Sequence, residues 1–155
     1  MEDHINDFLL TYCGFLLPYM NQDTELINKA IKCNPNNIQY IEEPSYKLCK
    51  KAVKIEGFNL GQIMYKTAPI IKAAVAVHGL NLAYVDPEDQ TEELCTIAIE
   101  NYPHAIKYVD NKTNSLRLTA VSLDGMALEH IEEQNPRICI AAVKQNIDSV
   151  KFVKI

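Results

Sequence analysis

Residues 70–85 read IIKAAVAVHGLNLAYV, and this stretch recurs, altered, along the chain. With Ala74 as position 0, matching alanines stand at Ala30, Ala52, Ala98, Ala120 and Ala142, at steps of 22, 22, 24, 22 and 22 residues. Each is followed by a branched residue: Ile31, Val53, Val75, Ile99, Val121 and Val143. Four residues before each stands Leu26, Leu48, Ile70, Leu94, Leu116 or Ile138. Five residues after it comes Pro35, Gly57, Gly79, Pro103 or Gly125, with Ile147 beside Asn146 in the last copy. Positions +8 and +11 are again aliphatic, from Ile38 and Ile41 to Val150 and Val153. A weaker seventh copy aligns residues 14–20, GFLLPYM, with 79–85, GLNLAYV, which puts Ile5 opposite Ile70 and Leu9 at the alanine position.

Positions −4, 0, +1 and often +3 share one helical face. The glycine or proline ends that helix. Positions +8 and +11 then lie three apart on one face of a second short helix. The small alanine lets neighbouring helices approach closely. One copy buries too little apolar surface to fold alone, whereas stacked copies bury a continuous core. The expected fold is therefore all-α, an α-solenoid of about seven helix–turn–helix units of about 22 residues. The units are expected at 1–23 (degenerate), 24–44, 45–67, 68–90, 91–113, 114–134 and 135–155, in one domain. At roughly 8–10 Å per helix layer, seven layers would form a rod or arc of about 60–70 Å. Ser45 and Thr91 read as helix N-caps, and Pro69 and Pro136 suit first turns. Residues 86–90, DPEDQ, absorb the longer step. One stretch is ambiguous: Ile106 to Val121 would also pass for a hairpin around residues 111–114, but the repeat register favours helix.

Composition bounds the rest. Apolar residues make up 48% of the 155, which excludes disorder, and a net charge of −5 tells against nucleic acid as the main partner. No run of 18 apolar residues occurs, so no membrane span is expected. The acidic start MEDHIND is the wrong leader for a secretory signal. Five cysteines, an odd number without a CxxC, fit a reducing, intracellular, cytoplasmic setting.

Motifs for chemistry are missing: no phosphate-binding glycine loop, HExxH, EF-hand or GxSxG. His4, His78, His104 and His130 are about a repeat or more apart, so no metal site, cofactor or catalytic set is expected. Cys49, Cys95 and Cys139 share position −3, where other units carry Ile27 and Ile71, and read as small apolar fillers rather than a row of reactive thiols.

Surface positions are more informative. Position +10 reads Tyr19, Tyr40, Gln62, Tyr84, Tyr108, His130 and Phe152. This row could contact an extended peptide, or pack between units with its hydroxyls outward. Acids concentrate in the links between units, at Glu42, Glu43, Asp86, Glu88, Asp89, Asp110, Glu132 and Glu133, and lysines on first helices, at Lys29, Lys32, Lys50, Lys51, Lys54, Lys72 and Lys144. Helix macrodipoles alone account for much of that segregation. The candidate partner-binding set is Tyr40, Tyr84, Tyr108, Glu42, Asp86 and Asp110. Apolar terminal repeats give a candidate self-association set of Phe8, Phe15, Phe152, Val153 and Ile155, with a possible homodimer.

Residues 138–153, ICIAAVKQNIDSVKFV, come close to the pattern ICLAAVKQNGLALKYV, as do residues 93–101, ELCTIAIEN, with 106–109, IKYV. In these the chain resembles a short helical repeat family abundant in giant DNA viruses of amoebae and found in some protists and intracellular bacteria. The resemblance covers nearly all of residues 24–155 and, weakly, 5–20. It implies the repeat fold and no activity. The expected function is a non-catalytic protein–protein interaction module, acting on a host or virion protein if a virus encodes it. The alternatives are a self-assembling structural protein and a nucleic-acid binder that uses first-helix lysines.

Overall fold

The computed structural model describes residues 9–19 and 24–154. Among these the chain is entirely helical, turn or extended link, with no strand. Six α-helices of ten residues each carry the repeats: α1 (Thr24–Cys33), α2 (Tyr46–Ile55), α3 (Ala68–Val77), α4 (Glu92–Asn101), α5 (Asn114–Leu123) and α6 (Pro136–Gln145). Residues 9–12 are also helical. Helices this short are marginal alone in water, so each depends on its neighbours in the stack. The stretch that reads ambiguously as a hairpin is a 3₁₀ helix, Pro103–Tyr108, followed by α5. The repeat register prevails there because Leu116, Ala120 and Val121 all enter the core.

The second element of each repeat is a six-residue 3₁₀ helix: Gly14–Tyr19, Pro35–Tyr40, Gly57–Gln62, Gly79–Tyr84, Pro103–Tyr108, Gly125–His130 and Ile147–Phe152. Three residues per turn put positions +5, +8 and +11 on one edge. Gly79, Leu82 and Val85 are accordingly all buried. Six residues is long for a 3₁₀ run, and both ends are secured. At the start, the residue at +4 is extended, and in four repeats its side chain accepts from the amide two residues on: Asn34 from Asn36, His78 from Leu80, Asp124 from Met126 and Asn146 from Asp148, whereas Glu56 and Tyr102 make no such bond. At the end, the +11 amide donates to the +8 carbonyl, as Val109 does to Ile106 and Ile131 to Leu128.

N-caps recur at position −7. Ser45, Thr91, Thr113 and Asn135 accept from the amides of Leu48, Leu94, Leu116 and Ile138. All six repeat alanines are completely buried. The core face differs from the expected one at position +3. Position −3 is inside, with Cys49, Ile71 and Cys95 buried, and position +3 is outside, with Ile55, Val77 and Leu123 exposed. At 100° per residue, +3 lies about 90° from the middle of the face formed by −4, −3, 0 and +1, which places it at the rim.

The chain divides into two compact units, Met1–Val77 and His78–Ile155, with the division inside the expected repeat 68–90. In the first, α1 packs on α2 and α2 on α3, while the 3₁₀ helices 14–19, 35–40 and 57–62 form a second layer. In the second, α4, α5 and α6 stack in the same way against 3₁₀ helices 79–84, 103–108, 125–130 and 147–152. Residues 9–19 behave as the degenerate copy. The Cys13 amide donates to the Leu9 carbonyl at 2.7 Å, as Tyr102 does to the repeat alanine Ala98 at 2.8 Å. Leu10 and Leu17 fill the core with Ala30.

The turn glycines act differently from the expectation. None has a positive φ. A Cβ on Gly79 would collide with the Ala98 carbonyl oxygen of the next repeat, and one on Gly125 with that of Ala142. These positions therefore set how closely successive repeats approach, not the handedness of a turn. Ile147, at the same register position in the last copy, is 69% exposed.

Candidate functional site: the link edge of the repeats

Positions +9 to +13, extended to +15 in the longer link after Tyr84, form the outer end of each repeat, where the 3₁₀ helix gives way to a link. Glu42, Glu43, Asp86, Glu88, Asp89, Asp110, Glu132 and Glu133 are all exposed there. The aromatic row divides. Tyr40 turns inward against the core of Leu10, Leu17 and Ala30. Tyr84 and Tyr108 stay outside, at 42% and 36% exposed. Lys107, at +9, lies 4.6 Å over the Tyr108 ring, and Lys151 4.9 Å over that of Phe152. Tyr84 follows Ala83 and has no such neighbour in sequence.

In the second unit the edge is a mixed-charge basin of about 590 Å³. Asp110, Glu129, Glu132 and Glu133 face Lys107, Lys112, Arg117 and Lys154 across it. Arg117 Nη2 pairs with the Glu133 carboxylate, and Nη1 donates to Asn114 Oδ1. The acids here are therefore interleaved with cations rather than forming a purely acidic edge.

At His130, which lines the basin, two histidines meet, an arrangement that their spacing in the sequence conceals. His104 Nε2 lies 3.1 Å from Asp124 Oδ2, and His104 Nδ1 lies 3.0 Å from His130 Nε2. If His104 donates to the carboxylate through Nε2, its Nδ1 accepts from His130 Nε2–H. In that arrangement a proton added to His130 goes to its Nδ1 and leaves the bond to His104 in place. Burial, foremost, and the neighbouring His104 push the His130 pKa down, as do Lys107 and Lys112 more weakly, against a small upward pull from Glu129. The rings of His78 and Tyr102 continue the array at a centroid separation of 5.2 Å, and Tyr102 and His104 at 5.6 Å. In register His104 stands at +6 of one repeat, and Asp124 and His130 at +4 and +10 of the next. Among the described residues, no group of three or more His, Cys, Asp or Glu is arranged to hold a metal ion.

The first unit carries a different link. Position +12 is Glu42 in one repeat but Met64 in the next, and +13 is Glu43 but Tyr65. Met64 and Tyr65 are 83% and 81% exposed. This departure is legible from the repeat register, but only when the link positions are compared across repeats. Lys47, Lys50, Lys51 and Lys54 line an open hollow with Tyr46 and Ile55 on α2.

Cys49 and Cys95 are buried, and burial raises both thiol pKa values. The Cys95 thiol approaches Gln90 Oε1 and the Cys139 thiol Gln134 Oε1, at 4.0 and 3.4 Å. Those glutamines tie the links together: Gln134 Nε2 donates to the carbonyls of Ile131 and Phe152, and its Oε1 accepts from Lys154 N. All five cysteines are free thiols. Among the self-association candidates, Phe15 is exposed, Phe152 and Val153 are half-buried, and Phe8 and Ile155 lie outside the described residues. Among the described residues no helix is long and apolar enough to cross a membrane. No protein-family model, curated protein or solved structure matches the chain.

Proposed function

We propose that the chain is a non-catalytic protein–protein interaction module that reads its partner with the link edge. One observation carries this reading: in the four repeats from 45 to 134 positions −4, 0, +1, +8 and +11 are all buried, while the exposed link positions +12 and +13 range from the acid pairs Glu42–Glu43 and Glu132–Glu133 to the apolar pair Met64–Tyr65. A host or virion protein is the natural target if the chain is virus-encoded, as the sequence resemblance suggests. The test is affinity capture from native lysate, read by mass spectrometry, with a Tyr84→Ala/Tyr108→Ala variant alongside. The expected result is a partner retained by the wild-type chain and depleted with the variant. An identical protein set on the wild type, the variant and bare beads would overturn the reading.

A second reading, self-assembly, is favoured by Ile140, Ile147 and Val150, all more than half exposed on the last repeat. Sedimentation across a hundredfold range of concentration separates it from the first. A nucleic-acid role has the lysine hollow of α2 in its favour. It predicts DNA or RNA binding that falls steeply with added salt.

A further inference from the structure

The apolar link of the first unit, residues 63–65, is the strongest departure from the repeat's own pattern. A cleft of about 280 Å³ opens there, lined by Glu42, Glu43, Pro44, Ile63, Met64 and Tyr65, with the buried Cys49 behind them. Its volume is below the usual range for sites that enclose a drug-sized ligand or cofactor, about 300–1,000 Å³. It suits one or two side chains. Its walls are apolar and its rim carries two exposed carboxylates. Met64 can adapt its shape to an inserted side chain, and tyrosine is a frequent interface anchor. No basic residue lines the cleft; Lys47 and Lys51 line the neighbouring hollow, which shares Glu43 and Pro44 with it.

We propose that this cleft docks a short segment of a partner protein in which a large apolar side chain stands next to lysine or arginine. The apolar side chain enters between Pro44, Ile63, Met64 and Tyr65, and the cation faces Glu42 and Glu43. Charge decides the class of occupant: the same two carboxylates repel the phosphates of nucleic acid and of anionic lipid. This inference rests on the interaction-module reading and supplies the chemistry of the partner.

The test uses the full chain as bait for a phage-displayed library of random twelve-residue peptides. Enriched sequences should pair Leu, Met or Phe with adjacent Lys or Arg. A synthetic peptide of the best enriched sequence, followed by fluorescence anisotropy, should lose at least tenfold in affinity for Met64→Ser/Tyr65→Ser. It should lose about fivefold for Glu42→Gln/Glu43→Gln, the loss shrinking with added salt. All four side chains are exposed, so the variants should fold, which circular dichroism confirms. Enrichment of acidic or purely polar sequences overturns the proposal. Equal binding to the Met64/Tyr65 variant also overturns it, while leaving the module reading in place. If no peptide is enriched but lysate capture still yields a Tyr84-dependent partner, the cleft assignment fails and the module reading stands.

Discussion

His104 and His130, 26 residues apart in sequence, hold their ring nitrogens 3.0 Å apart, with Asp124 on the far side of His104. This three-residue chain joins two successive repeats of the second unit. The His130 pKa is lowered from its ordinary 6.5, chiefly by burial. A depressed histidine pKa means that the unfolded chain binds the proton more readily than the folded one. Stability should therefore be full above about pH 6.5 and fall as the pH drops below it, until the lowered folded value is passed. Urea midpoints measured between pH 7.5 and 5.5 should decline on the acid side, and His130→Gln should flatten that decline. A profile unchanged by the substitution would disconnect His130 from the pH dependence.

Gly79 and Gly125 should not tolerate a methyl group. At a flexible exposed turn, Gly→Ala commonly stabilises by about 0.4–1 kcal/mol. Here the added carbon meets a backbone carbonyl of the next repeat, and overpacking of this kind costs about 1–3 kcal/mol. Thermal denaturation of Gly79→Ala and Gly125→Ala distinguishes the two by sign alone. The same close approach is held by the Gly79 amide, which donates to Asn101 Oδ1 at 2.7 Å. Asn101→Ala should cost about 1 kcal/mol.

Asn37 fastens residues 9–19 to the rest of the first unit. Its Nδ2 donates to the Leu10 carbonyl at 2.6 Å and to the Ala30 carbonyl at 3.0 Å, from a side chain that is almost wholly buried. Asn37→Leu removes both bonds and leaves the Leu10 carbonyl without this partner. We expect a loss of about 2–3 kcal/mol and faster limited proteolysis within residues 9–19. Unchanged protection of that segment would show that the packing of Leu10 and Leu17 suffices.

Cys49 and Cys95 should resist thiol reagents in the folded protein. Both are buried with raised pKa values, so little thiolate is present and little of it is accessible. Mass-resolved labelling with iodoacetamide at pH 8 should modify these two only after denaturant is added. Fast native labelling of either would contradict their role as core fillers.

The sequence by itself determined the helical class, the register of the repeats, the buried alanines, the N-caps at Ser45 and Thr91, and the inclusion of residues 9–19 as a degenerate copy. These are local or periodic properties: a helix cap is decided within four residues, and a core face by its spacing. The tertiary structure decided the rest. It made the second element 3₁₀, moved +3 out of the core, and gave the glycines a packing role, because each depends on the distance to the next repeat. It turned Tyr40 inward while leaving Tyr84 out. It brought His104, Asp124 and His130 together because positions +6, +4 and +10 of adjacent repeats converge across the stack. Spacing along one chain carries no such information; only the stacking of one repeat on the next supplies it.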